Sequence, residues 1–303
     1  MRPRARNLLQ RLPATLMLVA CLSASATPQV VTLRVPESDT DPRTTYHDAV
    51  IRLALDQTVK SHGPYTLEFA PPMNTQRALI SAERKLYPGF VMSMSRGERR
   101  VGNLVPVRFP LHLGAAGYRV CFVSPQAEAA VAGARTLNDL RRFSIVQGAG
   151  WMDGAILRAN GFRVEEVSRY EAMFGMVAQG RVDLFCRSVL EVGKESESHA
   201  DMPGLMLDRS FVLVYDLPKF FYTHRDNQAL VERLTRGLEM AYADGSLMNL
   251  FRAHLRASVR FADLPRRRVF KLSTPRVDVE FDYRRYDVDL LRLDDAPRPA
   301  APR

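Results

Sequence analysis

The sequence is poor in cysteine, tryptophan and histidine. Among 303 residues there are 3 cysteines, 1 tryptophan and 6 histidines. So few cysteines exclude a disulfide-rich scaffold, and the histidines show no spacing typical of a metal site. Neither a G-x-S-x-G nucleophile elbow nor a dinucleotide-binding glycine loop is present. The sequence therefore predicts no cofactor and no metal, and it favours a protein that is not an enzyme.

Long apolar runs are absent beyond the N-terminus, so no transmembrane helix is predicted there. Residues 1–26 contain four arginines, then an apolar run, then small residues. This order is typical of a secretory signal peptide cleaved after Ala26, which predicts a periplasmic protein. The alternative is a lipoprotein, because residues 18–21 resemble a lipobox that would leave Cys21 as a lipid anchor.

Acidic residues are fewer than basic ones, at 33 against 43. The net charge of +10 includes the four arginines of residues 1–26, so the mature chain would carry +6. A basic surface favours anionic partners, and export excludes nucleic acid as the partner. An anionic small molecule is the partner that we expect.

Two cysteines, Cys121 and Cys186, remain after removal of the signal. Each lies in a predicted strand, and a disulfide requires these strands to be neighbours. We favour two buried free thiols, because cysteine often serves as a small apolar core residue.

Predicted strands and helices alternate through residues 30–256. β-branched runs end at glycines or polar turns, and amphipathic helices follow them. This alternation predicts an α/β protein with two units, each a mostly parallel sheet flanked by helices. Two hinge strands, expected near 112–120 and 205–215, would join the two units.

Small or polar residues stand where three predicted strands end. These ends read SMS at 93–95, QGAG at 147–150 and CRS at 186–188. Ligands bind beyond the carboxyl ends of strands in such sheets, so the three ends predict one cleft. Arg187 would face this cleft, because a buried unpaired charge is costly. An ion pair with Glu191 or Glu195 is the alternative.

These motifs resemble the family 3 periplasmic solute-binding proteins, the amino-acid receptors of ABC importers. The segment SMSRGERR is similar to the family's S-x-S-x-x-x-x-R motif, which implies that Ser93 and Ser95 line the cleft and that Arg100 binds a ligand carboxylate. TLNDLRRFSIVQGAG, GRVDLFCRS and YADGSLMNLFRAHL resemble three further family segments. The first implies an anion site at the backbone N–H groups of 148–150, that is, Gly148, Ala149 and Gly150.

The sequence departs from the family where an acid usually binds the ligand ammonium. Ser188 stands at that position, next to Arg187, which favours an anionic ligand over a plain amino acid. Glu37, after the first strand, could still bind an amine. Trp151 either stacks on the ligand or covers the core of its lobe.

The resemblance implies a type II periplasmic-binding-protein fold and a division of the mature chain. We expect lobe 1 at 27–112 plus 212–263, lobe 2 at 113–211, and an extension at 264–303 with a disordered end. Within that extension, 277–291 alternates like an edge strand.

As function, we expect a monomeric receptor that closes on a small polar, anionic or amino-acid-like ligand and works with an ABC permease. One alternative is a sensor or adaptor that signals to a membrane partner. The other is a dehydratase-like enzyme, which an acid–base pair in the cleft would support.

Overall fold

The computed structural model describes residues 27–38, 41, 44–95, 101–275, 280–288 and 290. The predicted signal peptide with Cys21, and Arg100 of the cleft motif, lie outside the described residues. Across the described ranges, no helix is both long and apolar enough to cross a bilayer.

Strands and helices alternate along the described chain. The strands are β1 (Gln29–Arg34), β2 (Tyr65–Ala70), β3 (Phe90–Ser95), β4 (Leu104–Pro106), β5 (Tyr118–Val123), β6 (Ser144–Gly148), β7 (Arg163–Val167), β8 (Leu184–Ser188), β9 (Met206–Leu207), β10 (Phe211–Val214), β11 (Lys219–His224) and β12 (Arg268–Lys271). The helices are α1 (Thr45–Gln57), α2 (Val59–His62), α3 (Thr75–Glu83), α4 (Glu128–Gly133), α5 (Leu137–Leu140), α6 (Met152–Ala159), α7 (Tyr170–Ala178), α8 (Val192–Ser198), α9 (Gln228–Ala243) and α10 (Ser246–Ala262).

The first sheet has the strand order β2-β1-β3-β11-β4. β1 is parallel to both of its neighbours, and β11 is antiparallel to β3 and to β4. The apolar face of α1, with Val50, Ala54 and Leu55 at helical spacing, is buried in one core cluster with Leu234 and Leu238 of α9. This packing fixes the N-terminal end of α1, and with it His47, against the first sheet.

The second sheet has the order β12-β10-β5-β8-β6-β7, with β9 paired to β5. β6 is parallel to β7 and β8, whereas β5 is antiparallel to β8 and β10. β8 is buried along its whole length and β5 from its second residue onward, because helices cover both faces. The predicted fold class, two helix-flanked sheets, is confirmed, and antiparallel strands join its parallel parts.

The expectation of two free thiols is wrong, because Cys121 and Cys186 form a disulfide. β5 and β8 are neighbouring antiparallel strands, and their register sets Cys121 directly opposite Cys186. Both side chains are completely buried in the second core. The sequence could not reveal this pairing, because it does not state which strands are adjacent.

The chain crosses between the two sheets at 107–117 and again at 215–218. The two crossings lie side by side, since the Tyr215 amide donates to the Gly117 carbonyl at 3.1 Å. A Cβ atom at Gly117 would lie 1.9 Å from the Tyr215 carbonyl oxygen, so only glycine permits this approach. The second sheet includes β10 and therefore runs past 211, where the sequence analysis ended lobe 2.

The C-terminal extension packs on both parts of the molecule. β12 pairs in parallel with β10 of the second sheet. The chain then returns to the crossings, where the Val288 amide donates to the Leu113 carbonyl and Tyr286 packs on Phe109. The edge strand predicted at 277–291 does not form in its described part, because 280–288 contains a short 3-10 turn instead. The extension instead contributes β12, at one edge of the second sheet.

Candidate functional site

A cavity of about 170 Å³ lies between the two sheets. Both sheets and the first crossing contribute residues to its wall. Of the residues predicted from the sequence, six line it: Ser93, Ser95, Gly150, Trp151, Arg187 and Ser188. The structure thus brings the three strand ends together around one space. Their contact with a ligand stays a prediction.

The other predicted residues lie beside this cavity or outside the described chain. Glu37, Gly148 and Ala149 line a cavity of about 10 Å³ that shares Trp151 and Thr75 with the larger one. Arg100 falls within 96–100, which is outside the described residues. No group of three or more histidine, cysteine or acidic side chains in the described part could hold a metal ion.

Arg187 lines the cavity, but two carboxylates already neutralise it. Its guanidinium lies 2.6 Å from Glu195 and 2.7 Å from Glu191, and its side chain is 3% exposed. Burial lowers the pKa of Arg187, but the two carboxylates outweigh this and raise its pKa well above the usual value. This is the ion pair that the sequence analysis kept as an alternative, and it leaves no net positive charge at Arg187.

A second buried ion pair involves Arg119, which the sequence analysis did not single out. Arg119 lies on β5, opposite Ser188 in the register, and its guanidinium is 2.9 Å from the Asp153 carboxylate. The Tyr215 hydroxyl donates to the same carboxylate oxygen at 2.6 Å. Asp153 lies in the first turn of α6, as a helix-dipole partner should, and it also holds Arg119 at the cavity wall.

The predicted backbone anion site is occupied by contacts within its own lobe. The Ala149 amide donates to the Val167 carbonyl at 3.0 Å, and the Gly150 amide donates to the Glu166 carboxylate at 3.4 Å. These N–H groups therefore have acceptors already. Their contact with an anion stays a prediction, and an anion would have to compete with these acceptors.

Trp151 covers the core of its lobe and lines the cavity at once. Its indole lies roughly parallel to the Phe185 ring and 4.8 Å from the Arg187 guanidinium, a cation–π distance. A Cβ atom on Gly148 would come within 2.2 Å of the indole, so glycine is required beneath the ring. The two roles considered for Trp151 are thus compatible.

A chain of three polar side chains forms the opposite wall. The Ser93 hydroxyl is 3.1 Å from His47 Nδ1, and His47 Nε2 is 3.1 Å from His112 Nε2. Burial lowers the pKa of both histidines well below the usual value, and the nearby Lys219 ammonium adds to this effect. Both imidazoles are therefore neutral, and one proton is shared between the two Nε2 atoms.

The position of that proton determines what Ser93 offers to the cavity. If His47 Nε2 carried it, His112 would carry its only proton on Nδ1, which is buried without a partner. If His112 Nε2 carries it, only a bare acceptor is left unpaired, and buried unpaired acceptors are less rare than buried unpaired donors. We assign the second arrangement. His47 Nδ1 then donates to Ser93, and the Ser93 hydroxyl proton is available to a ligand acceptor.

Lys219 begins β11 and lines the same wall. It lies opposite Ser95 in the antiparallel pairing with β3, and Phe221 lies opposite Ser93. Opposed residues share one face of a sheet, so the Lys219 and Ser95 side chains emerge together. Sequence analysis missed β11, although the aromatic run FFY is a strand signal.

Asp48 on α1 is a further cavity residue that the sequence analysis missed. Burial raises its pKa to about 6, and Arg52 and Arg34 partly oppose the rise. Its carboxylate forms no ion pair with any described residue. The helical pattern of α1 gave no signal for it, since an acid in a first turn is ordinarily a solvated helix-dipole partner.

No protein-family model matches the sequence. A search of curated proteins also finds no match. Comparison with solved structures gives clear likenesses of the fold at low sequence identity. The chain is similar to a periplasmic binding protein of Salmonella typhimurium with high arginine specificity, at 13% identity and a TM-score of 0.55, over 75% of this chain and 99% of that one.

Two further solved structures show the same likeness. One comes from work on glutathione import in Streptococcus mutans via GshT and the cystine ABC importer TcyBC. Its identity is 15% and its TM-score 0.56, and the match covers 77% of this chain and 97% of that one. The other is the GluR0 ligand-binding core of Nostoc punctiforme in complex with L-glutamate, at 14% identity and a TM-score of 0.51, covering 75% and 99%. The chain therefore has the type II periplasmic-binding-protein fold, and its resemblance to the family 3 solute-binding proteins is confirmed at the level of that fold.

Proposed function

We propose that this protein is an exported receptor that closes on one small polar ligand between its two lobes and delivers it to an ABC permease. The observation that carries the proposal is the cavity of about 170 Å³ lined by polar residues of both sheets, with the two crossings as hinge. The solved structures of similar fold include proteins described as bound to arginine, glutamine or glutamate. Closure over a ligand at such a cleft is a common hinge movement.

We further propose that the lobes follow the two sheets. Lobe 1 then consists of 27–112 and the chain from β11 to 263, and lobe 2 consists of 113–211 extended through β10. The Ser38 hydroxyl, after β1, donates to the Glu171 carboxylate of α7 at 2.7 Å. This bond joins the lobes across the cleft, and it would have to break when they open.

The disulfide supports the export that the N-terminal sequence predicts. Structural disulfides persist in oxidising compartments and are rare in the cytosol. We propose the periplasm as the location, with anchoring through Cys21 as the alternative. Fractionation of expressing cells, with and without residues 1–26, tests this directly.

Catalysis is a second candidate because Ser93 and His47 are within hydrogen-bond reach, as a nucleophile and its base would be. The third position of the chain is His112 rather than a carboxylate, and Lys219 further disfavours a charged His47. A base must accept a proton and have its imidazolium stabilised. These electrostatics favour a hydroxyl presented for binding over an activated nucleophile.

Thermal unfolding of the purified chain with small metabolites tests the receptor. L-arginine, L-glutamine and L-glutamate are the first probes, because similar folds are described with them. A ligand at about a hundred times its Kd should stabilise the protein by roughly 2.7 kcal/mol. If no probe in a broad metabolite panel raises the melting temperature, the proposal fails. Release of a chemically altered probe would favour the enzyme instead.

A further inference from the structure

The cations around the cavity differ in one respect, which is whether an acid already neutralises them. Arg119 is paired with Asp153, and Arg187 is paired with Glu191 and Glu195. Arg34 also has a partner of its own. Lys219 forms no ion pair with any described residue. It is half-buried, so a counter-ion would be expected beside it.

The charged groups around Lys219 are the two ion-paired arginines and their acids, and unpaired hydrogen-bond donors lie among them. Burial lowers the pKa of Lys219; Glu191 and Asp153 raise it and Arg119 and Arg187 lower it, and the net shift is downward. The Nε hydrogen of Arg119 is buried without an acceptor among the described residues. Ser95 shares the face of Lys219, and the tautomers assigned above free the Ser93 hydroxyl proton. A half-buried ammonium among donors lacks a counter-ion.

We propose that Lys219 is the residue that binds the ligand's anionic group, and that this group is a carboxylate held between the Lys219 ammonium and the hydroxyls of Ser93 and Ser95. The proposal rests on the receptor function and assigns the ligand class and the anchoring residue within it. One unpaired ammonium neutralises one negative charge, which favours a carboxylate over a doubly charged phosphate. The proposal therefore places the ligand's anionic group at Lys219 on the first sheet, rather than at Arg187 on the second sheet as the sequence predicted.

The test uses probe pairs that differ only by a carboxylate. L-arginine is compared with agmatine, and L-glutamine with 4-aminobutanamide. Glutarate provides a carboxylate without an amine, and inorganic phosphate provides a different anion. Titration calorimetry on the purified chain gives each Kd. We expect that only carboxylate-bearing probes bind.

The variants separate binding from folding. Lys219→Met removes the ammonium and should weaken the best probe by about ten- to a hundredfold, the value of a charge-assisted hydrogen bond. Lys271→Met removes the same charge from an exposed lysine at the end of β12 and should leave Kd unchanged. Lys219→Arg keeps the charge and should retain most of the affinity. Lys219→Met should unfold no more easily than the parent, a result that a purely structural lysine would not give.

Each result has one meaning. Equal Kd values for the parent and Lys219→Met would overturn the role of Lys219 and leave the receptor function intact. Binding of agmatine, 4-aminobutanamide or phosphate in place of the carboxylates would overturn the ligand class. If no probe binds the parent, the receptor function fails for these ligands, and the present inference fails with it. Should Lys219→Met not fold, Lys219→Gln replaces it in the same comparison.

Discussion

The two walls of the cavity handle charge in opposite ways. The wall formed by the second sheet carries two buried arginines, and each is neutralised by acids from its own lobe, Arg119 by Asp153 and Arg187 by two glutamates. The wall formed by the first sheet carries hydroxyls, neutral imidazoles and Lys219, whose ammonium forms no ion pair among the described residues.

Under the proposed function, this difference separates residues that stabilise the fold from the lysine proposed to bind the ligand. A guanidinium with two carboxylates has most of its hydrogen bonds satisfied, so a ligand would have to compete for it. A half-buried ammonium with no counter-ion is costly in the empty protein and becomes favourable when an anion arrives. Arginine at a cleft therefore does not by itself indicate a ligand contact.

The largest effect expected from this comparison concerns Arg187. Arg187→Met leaves the Glu195 carboxylate completely buried, with only the Tyr170 hydroxyl to stabilise it. Breaking a buried ion pair from one side costs about 3–5 kcal/mol, and urea unfolding should show a loss of that order. Lys219→Met is the matched control, because it removes a cavity cation without leaving a buried carboxylate unpaired. It should change the free energy of unfolding by less than about 1 kcal/mol.

A double variant sharpens this prediction. Arg187→Met combined with Glu195→Gln removes the stranded charge and should recover part of the lost stability. If Arg187→Met and Lys219→Met unfold at the same urea concentration, the two walls do not differ as argued.

The disulfide is a second asymmetry, since it links two strands of the second sheet. Cys121 and Cys186 are 65 positions apart in the sequence, and the entropy of closing a loop of this size in the unfolded chain corresponds to roughly 4 kcal/mol. Replacing both cysteines by alanine should lower the free energy of unfolding by about 2–4 kcal/mol, because native-state relaxation offsets part of that value. Titration of thiols in the unfolded, unreduced protein gives the control: two free thiols would contradict the pairing.

The fold followed from the sequence because its signals are local. Apolar runs of β-branched residues and amphipathic helices alternate, and Thr136 and Asp139 form a capping box at the start of α5. Ser168 and Glu171 have the same spacing before α7, but no side-chain cap forms there. Glu171 does not cap α7 but accepts from Ser38 and lies 2.7 Å from His199, which are distant in sequence. Contacts with residues distant in the sequence here replace the local cap, and the sequence alone does not show which distant residues will be near.

The charge state of the site was not predictable for the same reason. Strand ends indicated where the cleft lies, but the neutralisation of Arg187 depends on how α8 packs against β8. Lys219 was missed because β11, whose first residue it is, was not predicted from the sequence. The pairing of β5 with β8 likewise decided the disulfide. The periodicity of the sequence predicts where the strands, the helices and the cleft lie. Which side chains form ion pairs or a disulfide depends on the spatial order of the strands, which the periodicity does not give.

The smallest effect expected concerns Asp48, the one cavity acid whose carboxylate forms no ion pair among the described residues. Burial raises its pKa from 3.8 to about 6, so between these values the native state holds a proton that the unfolded chain has lost. This contribution to stability is therefore fully present below the unfolded pKa and is lost as the pH rises through about 6.

Asp48→Asn removes this titration while keeping the shape of the side chain. Relative to the parent, the variant should gain stability as the pH is raised from about 4.5 to about 7, because only the parent must then bury a charge. Asp48 is partly solvated, so screening limits the gain to less than about 1 kcal/mol. Urea unfolding of both proteins at the two pH values measures it. If the difference in free energy of unfolding between the two proteins is the same at both pH values, burial does not raise the pKa of Asp48. Lys219 would then be the one group of this wall, among the described residues, whose charge is unfavourably buried.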